Sequence, residues 1–196
     1  ASVHACGLAG GAVKCWGRNH LGQLGNGSLM NSVTPVEVSG LAQSASFIVE
    51  TNGAHSCAVV GDGSPVCWGN NDYGMFGNGD TQNIASLPQL TIGLPGPVVA
   101  LSAGSLHTCA IVESGAVWCW GEGGAGQLGT GTSDDQFVPV EVVDVPAPAV
   151  AIAAGGLHTC ALTIDDTLYC WGNNSHGQLG TGNFDPTSKP VPVQGL

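Results

Sequence analysis

The sequence predicts an all-β fold, a row of four-stranded antiparallel units, on three observations. His-x-Cys recurs at His4/Cys6, His55/Cys57, His107/Cys109 and His158/Cys160, stepping by 51, 52 and 51 residues. Cys-Trp-Gly follows each time, beginning at Cys15, Cys67, Cys119 and Cys170, and a glycine-bracketed tetrapeptide comes next: GQLG, GMFG, GQLG and GQLG. Each period also holds several short β-type segments, glycine turns and no amphipathic helical run. A fixed period of this length marks stacked supersecondary units that share one continuous core. The 196 residues therefore read as a single array with repeats at approximately 1–45, 46–97, 98–148 and 149–196.

The last repeat shows the elements in order. AVAIAA at 149–154, HTCAL at 158–162, LYCWG at 168–172 and PVPV at 190–193 are the four strands. Pro35, Pro139, Pro190 and Pro192 suit an outer, edge-like strand, where a missing N–H is least costly. A four-stranded unit of about 50 residues is one propeller blade.

The cysteines fall on the central hairpins. In the first repeat a two-residue Gly10-Gly11 turn sets Ala9 opposite Ala12 and Cys6 opposite Cys15. In the other repeats a three-residue loop centred on Asp62, Ser114 or Asp165 opposes Cys57 to Cys67, Cys109 to Cys119 and Cys160 to Cys170. Gly63 and Gly115 take the left-handed bulge position of those loops, and Asp166 takes it in the last repeat. Directly opposed residues have a separation that a disulfide can span, so four cross-strand disulfides are expected. Buried free thiols are the first alternative. A zinc site of His-x-Cys plus the opposed Cys is the second, although no fourth ligand recurs. Disulfides imply an oxidising compartment, extracellular or at the cell surface.

Charge excludes several functions. Lys and Arg total 3 against 14 Asp and Glu, a net charge of −11. Lys14, Arg18 and Lys189 cannot form the basic stripe that nucleic acid requires, and anionic membrane surfaces are disfavoured likewise. No apolar run reaches the ~20 residues of a spanning helix, and the N-terminus has no charged and apolar regions of an export signal. Only 9% of residues are charged, so the surface is either rich in neutral polar groups or partly covered by partners.

The G-x-x-H-T-x-A-L…W-G-x-N-x-x-G-Q-L-G-x-G text, clearest at 104–131 and 155–182, resembles the regulator of chromosome condensation repeat family. The resemblance covers essentially the whole chain, and the paired cysteines look like those of secreted bacterial members. It implies a β-propeller, usually closed with seven blades. It does not imply one function, since members include a nucleotide-exchange factor, inhibitors of β-lactamases and surface proteins. The first repeat lacks an AVAIAAG-like opening strand, so three complete blades and one shortened blade are expected, with strand edges or blade faces exposed at both ends.

No catalytic constellation stands out, and no enzyme activity, cofactor or metal is expected. The four repeat histidines are expected to hydrogen-bond backbone in glycine-rich turns. The repeat tryptophans Trp16, Trp68, Trp120 and Trp171 are expected between blades. His20 and His176 read as exposed loop residues, Asp134-Asp135 and Asp165-Asp166 as solvated turn carboxylates. Asn26-Gly-Ser28 and Asn173-Asn-Ser175 match the glycan acceptor pattern. Trp118 breaks the repeat, standing where Lys14, Val66 and Tyr169 stand. With Tyr169, Ser2, Val3, Val191, Val193 and Leu196 it makes up the expected interface. The leading expectation is an extracellular structural protein that assembles with itself through open blade faces. The alternative is a closed propeller that binds or inhibits another protein through variable rim loops, notably 78–87 and 130–137.

Overall fold

A computed structural model describes residues 4–50, 53–81 and 83–196. The expected Ser2 and Val3 interface positions lie outside the described residues. The fold is all-β, with four antiparallel sheets in sequence order. Blade 1 has three strands, β1 (His4–Ala9), β2 (Ala12–Gly17) and β3 (Ser32–Glu37). Blade 2 has β4 (Ala45–Glu50), β5 (His55–Val60), β6 (Pro65–Asn70) and β7 (Ile84–Leu90). Blade 3 has β8 (Val98–Ala103), β9 (His107–Val112), β10 (Val117–Gly121) and β11 (Gln136–Glu141). Blade 4 has β12 (Ala149–Ala154), β13 (His158–Thr163), β14 (Leu168–Gly172) and β15 (Thr187–Pro192). The proline strands β3, β7, β11 and β15 are outer edges, as their missing N–H groups require. β15 begins three residues before the expected PVPV segment, because Thr187 pairs with Gly172 across a bulge. Among the described residues no helix is long and apolar enough to cross a membrane.

Short loops fix the hairpin registers. Cys6 pairs with Cys15, Cys57 with Cys67, Cys109 with Cys119 and Cys160 with Cys170. All four pairs are bonded, with S–S separations of 2.07–2.15 Å, and no cysteine is free. The glycine of each Cys-Trp-Gly bends the blade. Gly17, Gly69, Gly121 and Gly172 hold φ of 105–107° beside the bulge that joins the third strand to the fourth. At Gly69 a Cβ would come within 2.5 Å of the Ala54 carbonyl, so no side chain fits.

The core lies between blades, not within them. Cys15, Val13 and Leu24 of blade 1 pack on Ala45, Ala58 and Trp68 of blade 2. Cys57, Cys67 and Phe76 meet Val98, Leu101 and Trp120, and Cys109, Cys119 and Leu128 meet Ala149, Ala161 and Trp171. Period-2 alternation produces this arrangement: one blade face carries the cystine, the other carries the Cys-Trp-Gly tryptophan.

Candidate functional site

The repeated residues converge at the blade junctions. At the first junction the Gln23 carbonyl accepts the Trp68 indole N–H at 2.9 Å and the Ser56 hydroxyl at 3.3 Å. At the second, the Met75 carbonyl accepts Trp120 at 2.7 Å and Thr108 at 3.0 Å. At the third, the Gln127 carbonyl accepts Trp171 and Thr159, both at 2.9 Å. The histidine of the preceding blade completes the relay. His4, His55 and His107 Nε2 lie 2.7, 3.1 and 2.9 Å from Ser56, Thr108 and Thr159. Each hydroxyl has given its proton to a carbonyl, so Nε2–H of the histidine is the donor to the hydroxyl oxygen. His4, His55 and His107 thus each reach a hydroxyl 52 or 53 residues away, in the next blade, a contact that the expectation of backbone bonding in the turns did not include.

Burial sets the charge of these rings. His55 and His107 are pulled down to about 3 by burial, with neighbouring imidazoles adding to the effect: His107 and His4 for the first, His158 for the second. His158 is half-buried and lowered by burial too. The histidines form a column, one per blade, in which burial holds His55, His107 and His158 toward the neutral form, and a pKa of about 3 makes His55 and His107 weak bases.

Trp118 and Tyr169 are used inside the chain. Trp118 packs partly buried in the junction of blades 2 and 3, Tyr169 in the junction of blades 3 and 4. They share a repeat position but lie in successive junctions, so neither stands free as an outward anchor. The Trp118 indole N–H is buried without a partner. Trp118→Phe removes that orphan donor while keeping an aromatic ring, so it should leave stability unchanged or raise it by up to ~1 kcal/mol. Equilibrium urea unfolding measures this. Val191 pairs with Cys170 and is half-buried; Val193 stands where Val38, Thr91 and Val142 are buried in the earlier blades; Leu196 is exposed.

The long loops between third and fourth strands form one rim. In blades 1, 2 and 4 the base is pinned by a buried asparagine. Asn19 Nδ2 donates to the Ser28 and Met30 carbonyls, and its Oδ1 accepts Leu24 N–H. Asn71 ties Asp80 to Phe76, and Asn174 ties Asn183 and Asp185 to Leu179. Blade 3 departs: Gly123 takes the place of the asparagine, and its N–H donates to Asp135 Oδ1 at 2.8 Å. The adjoining Glu122 carboxyl is pushed up by burial and by the Asp135 charge. Loop bodies above these bases display large apolar side chains. Met30 is 78% exposed and Phe184 70%, with Leu29 and Tyr73 also exposed. His20 and His176 are exposed on the same loops. Among the described residues no group of His, Cys, Asp or Glu is placed to hold a metal.

These features can be set beside known proteins. The model of the regulator of chromosome condensation (RCC1) repeat matches residues 10–59, 62–111, 114–162 and 165–196, and a second model of that description matches 98–127 and 149–178. The chain belongs to the RCC1 repeat family. It is 34% identical over 186 residues to the ultraviolet-B receptor UVR8 of Arabidopsis thaliana, covering 94% of this chain and 42% of the receptor. It is 32% identical over 196 residues to the human E3 ubiquitin-protein ligase HERC2, covering 98% of this chain and 4% of the ligase. The chain thus spans less than half the length of these RCC1-repeat relatives. Its backbone superposes on human WBSCR16 with a TM-score of 0.89 at 24% identity, covering 99% of this chain and 51% of that one. It superposes on yeast RCC1 (Prp20) with a TM-score of 0.87 at 22% identity, covering 100% of this chain and 47% of that one, and these likenesses show the fold.

Proposed function

We propose that this chain is a non-enzymatic protein-binding module whose variable long-loop rim selects the partner. The observation that carries this reading is the division of labour within each repeat. The shared His, Ser/Thr, Trp and glycine residues bond one blade to the next, whereas the loops between asparagine-pinned bases differ and hold Met30, Tyr73 and Phe184 in solvent. Exposed apolar side chains on a rigid scaffold are the usual means of partner choice. The relatives named as a receptor and a ubiquitin ligase are consistent with a recognition role. The four disulfides suit an oxidising, extracellular location.

Self-assembly is the less supported reading. Ala5 stands where Ser56, Thr108 and Thr159 supply the junction hydroxyl, and exposed Lys14 stands where Val66, Trp118 and Tyr169 pack. A copy docking by that face on blade 4 would leave the His158 ring without its hydroxyl and would bring an ammonium onto an apolar face.

The test exchanges residues 78–87 for the equivalent loop of blade 4 and, separately, replaces Met30 and Phe184 with Ser. Capture from the secreted proteins of the source organism, compared with wild type by quantitative mass spectrometry, should lose the same few partners in both variants. Unchanged capture would sink the reading. A concentration-dependent mass of the wild-type chain by light scattering would restore self-assembly.

A further inference from the structure

Antiparallel order places the hairpin tips and the blade-to-blade linkers on the rim opposite the long loops. On that rim blades 1, 2 and 3 each form a groove between hairpin tip and outgoing linker. The groove of blade 2 is small, about 240 Å³, and its Asp62 carboxylate is engaged by Gln43 and Ser64. In blade 1 the groove carboxylate Glu37 lies in register with Lys14 on the neighbouring strand.

Blade 3 differs. Its groove, about 530 Å³, is walled by Ala116, Val117, Val143, Val145, Pro146 and Pro148, and its charged groups are Glu141 and Asp144, with no cation in the lining. Asp144 holds φ of 58°, whereas Gly40, Gly93 and Gly195 fill the equivalent positions of the other repeats. Its carboxylate already receives an ammonium: Lys189 Nζ lies 2.8 Å from Asp144 Oδ2, with both side chains more than half exposed. An exposed pair of this kind is worth little and exchanges readily.

We propose that this groove docks a basic segment of a partner protein, which sets a lysine or arginine against Glu141 and Asp144 and lays apolar side chains along the valine–proline wall. The proposal rests on the protein-binding reading but concerns the opposite rim. Charge complementarity favours this occupant, because a chain of net charge −11 whose apolar groove carries two carboxylates answered by a single exposed ammonium attracts cationic segments and repels acidic ones. Lys189 is the intramolecular competitor that an incoming side chain displaces.

The experiment titrates the isotope-labelled full chain with the amidated peptide Val-Lys-Pro-Val-Lys, followed by backbone amide shifts. Saturable shifts are expected at Val117, Val143 and Val145. Glu141→Gln with Asp144→Asn should weaken binding at least about fivefold, and Lys189→Met should tighten it about threefold by freeing Asp144. Asp72→Asn with Asp80→Asn, on the other rim, should leave affinity within about twofold and controls for net charge. Absence of saturable shifts, persistence of binding in the Glu141/Asp144 variant, or an equal loss in the Asp72/Asp80 control would each overturn the proposal. Loop exchange at 78–87 leaves this groove intact, so failure of either idea is read separately.

Discussion

Acid should begin to destabilise this protein above the pH at which carboxylates titrate. His55 and His107 are neutral in the fold, with pKa values of about 3 against an ordinary 6.5. Above pH 6.5 both folded and unfolded chains hold these rings neutral, and no stability depends on pH through them. Below 6.5 the unfolded chain binds protons and the folded chain does not, so stability falls as pH drops toward 3. Each ring contributes roughly 1.4 kcal/mol per pH unit, or roughly 3 kcal/mol by pH 4. Two such rings, with His158 acting in the same direction, remove much of a typical domain's stability of about 5–15 kcal/mol. Denaturant unfolding between pH 6.5 and 4.5, with disulfides intact, should therefore show uptake of about two protons. Replacement of His107 by Gln should lower that slope by about one proton whatever it does to absolute stability. A flat stability profile over this range would show that the histidine column is solvated.

Trp120→Ala and Trp16→Ala should differ more than any other pair of chemically identical changes. Trp120 is 0% exposed, fills the junction of blades 2 and 3, and donates to the Met75 carbonyl. Its loss removes packing and a buried hydrogen bond, for about 4 kcal/mol. Trp16 occupies the same repeat position but is 37% exposed. Its replacement should change stability by less than ~1 kcal/mol. Trp120→Phe keeps an aromatic ring but loses the N–H and part of the indole volume, so its cost should fall between, at about 2 kcal/mol. Thermal melts of the oxidised proteins are sufficient. Equal losses at Trp16 and Trp120 would mean that something in solution covers the blade 1 face.

The hairpins were legible because local turn chemistry determines them. Two glycines between Ala9 and Ala12 leave one register, and that register sets Cys6 against Cys15. The junction relay was only half legible. Periodicity exposed His55 and Trp120 as structural, but the contact of His55 with Thr108 arises from stacking of separate units, which no local pattern encodes. Trp16 and Trp120 have the same sequence context and different burial, because burial depends on a neighbouring blade and not on the repeat itself. Trp118 looked distinctive because it is unique at its position, yet its surroundings are an ordinary junction. Asp144 was missed although the signal was available: aligning the repeats puts it in a column with Gly40, Gly93 and Gly195.

The placement of the cystines has a mechanical consequence. Every disulfide closes a hairpin within one blade, over 9 or 10 residues, and none joins one blade to the next. Tension along the chain therefore meets two classes of resistance. The contacts between neighbouring sheets give way first, and each sheet can then be peeled only as far as its cystine. About 10 residues of contour, roughly 33 Å per blade, stay shielded from the load until a reductant opens the bond. Single-molecule extension traces under oxidising and reducing conditions should accordingly differ by that increment once for every blade.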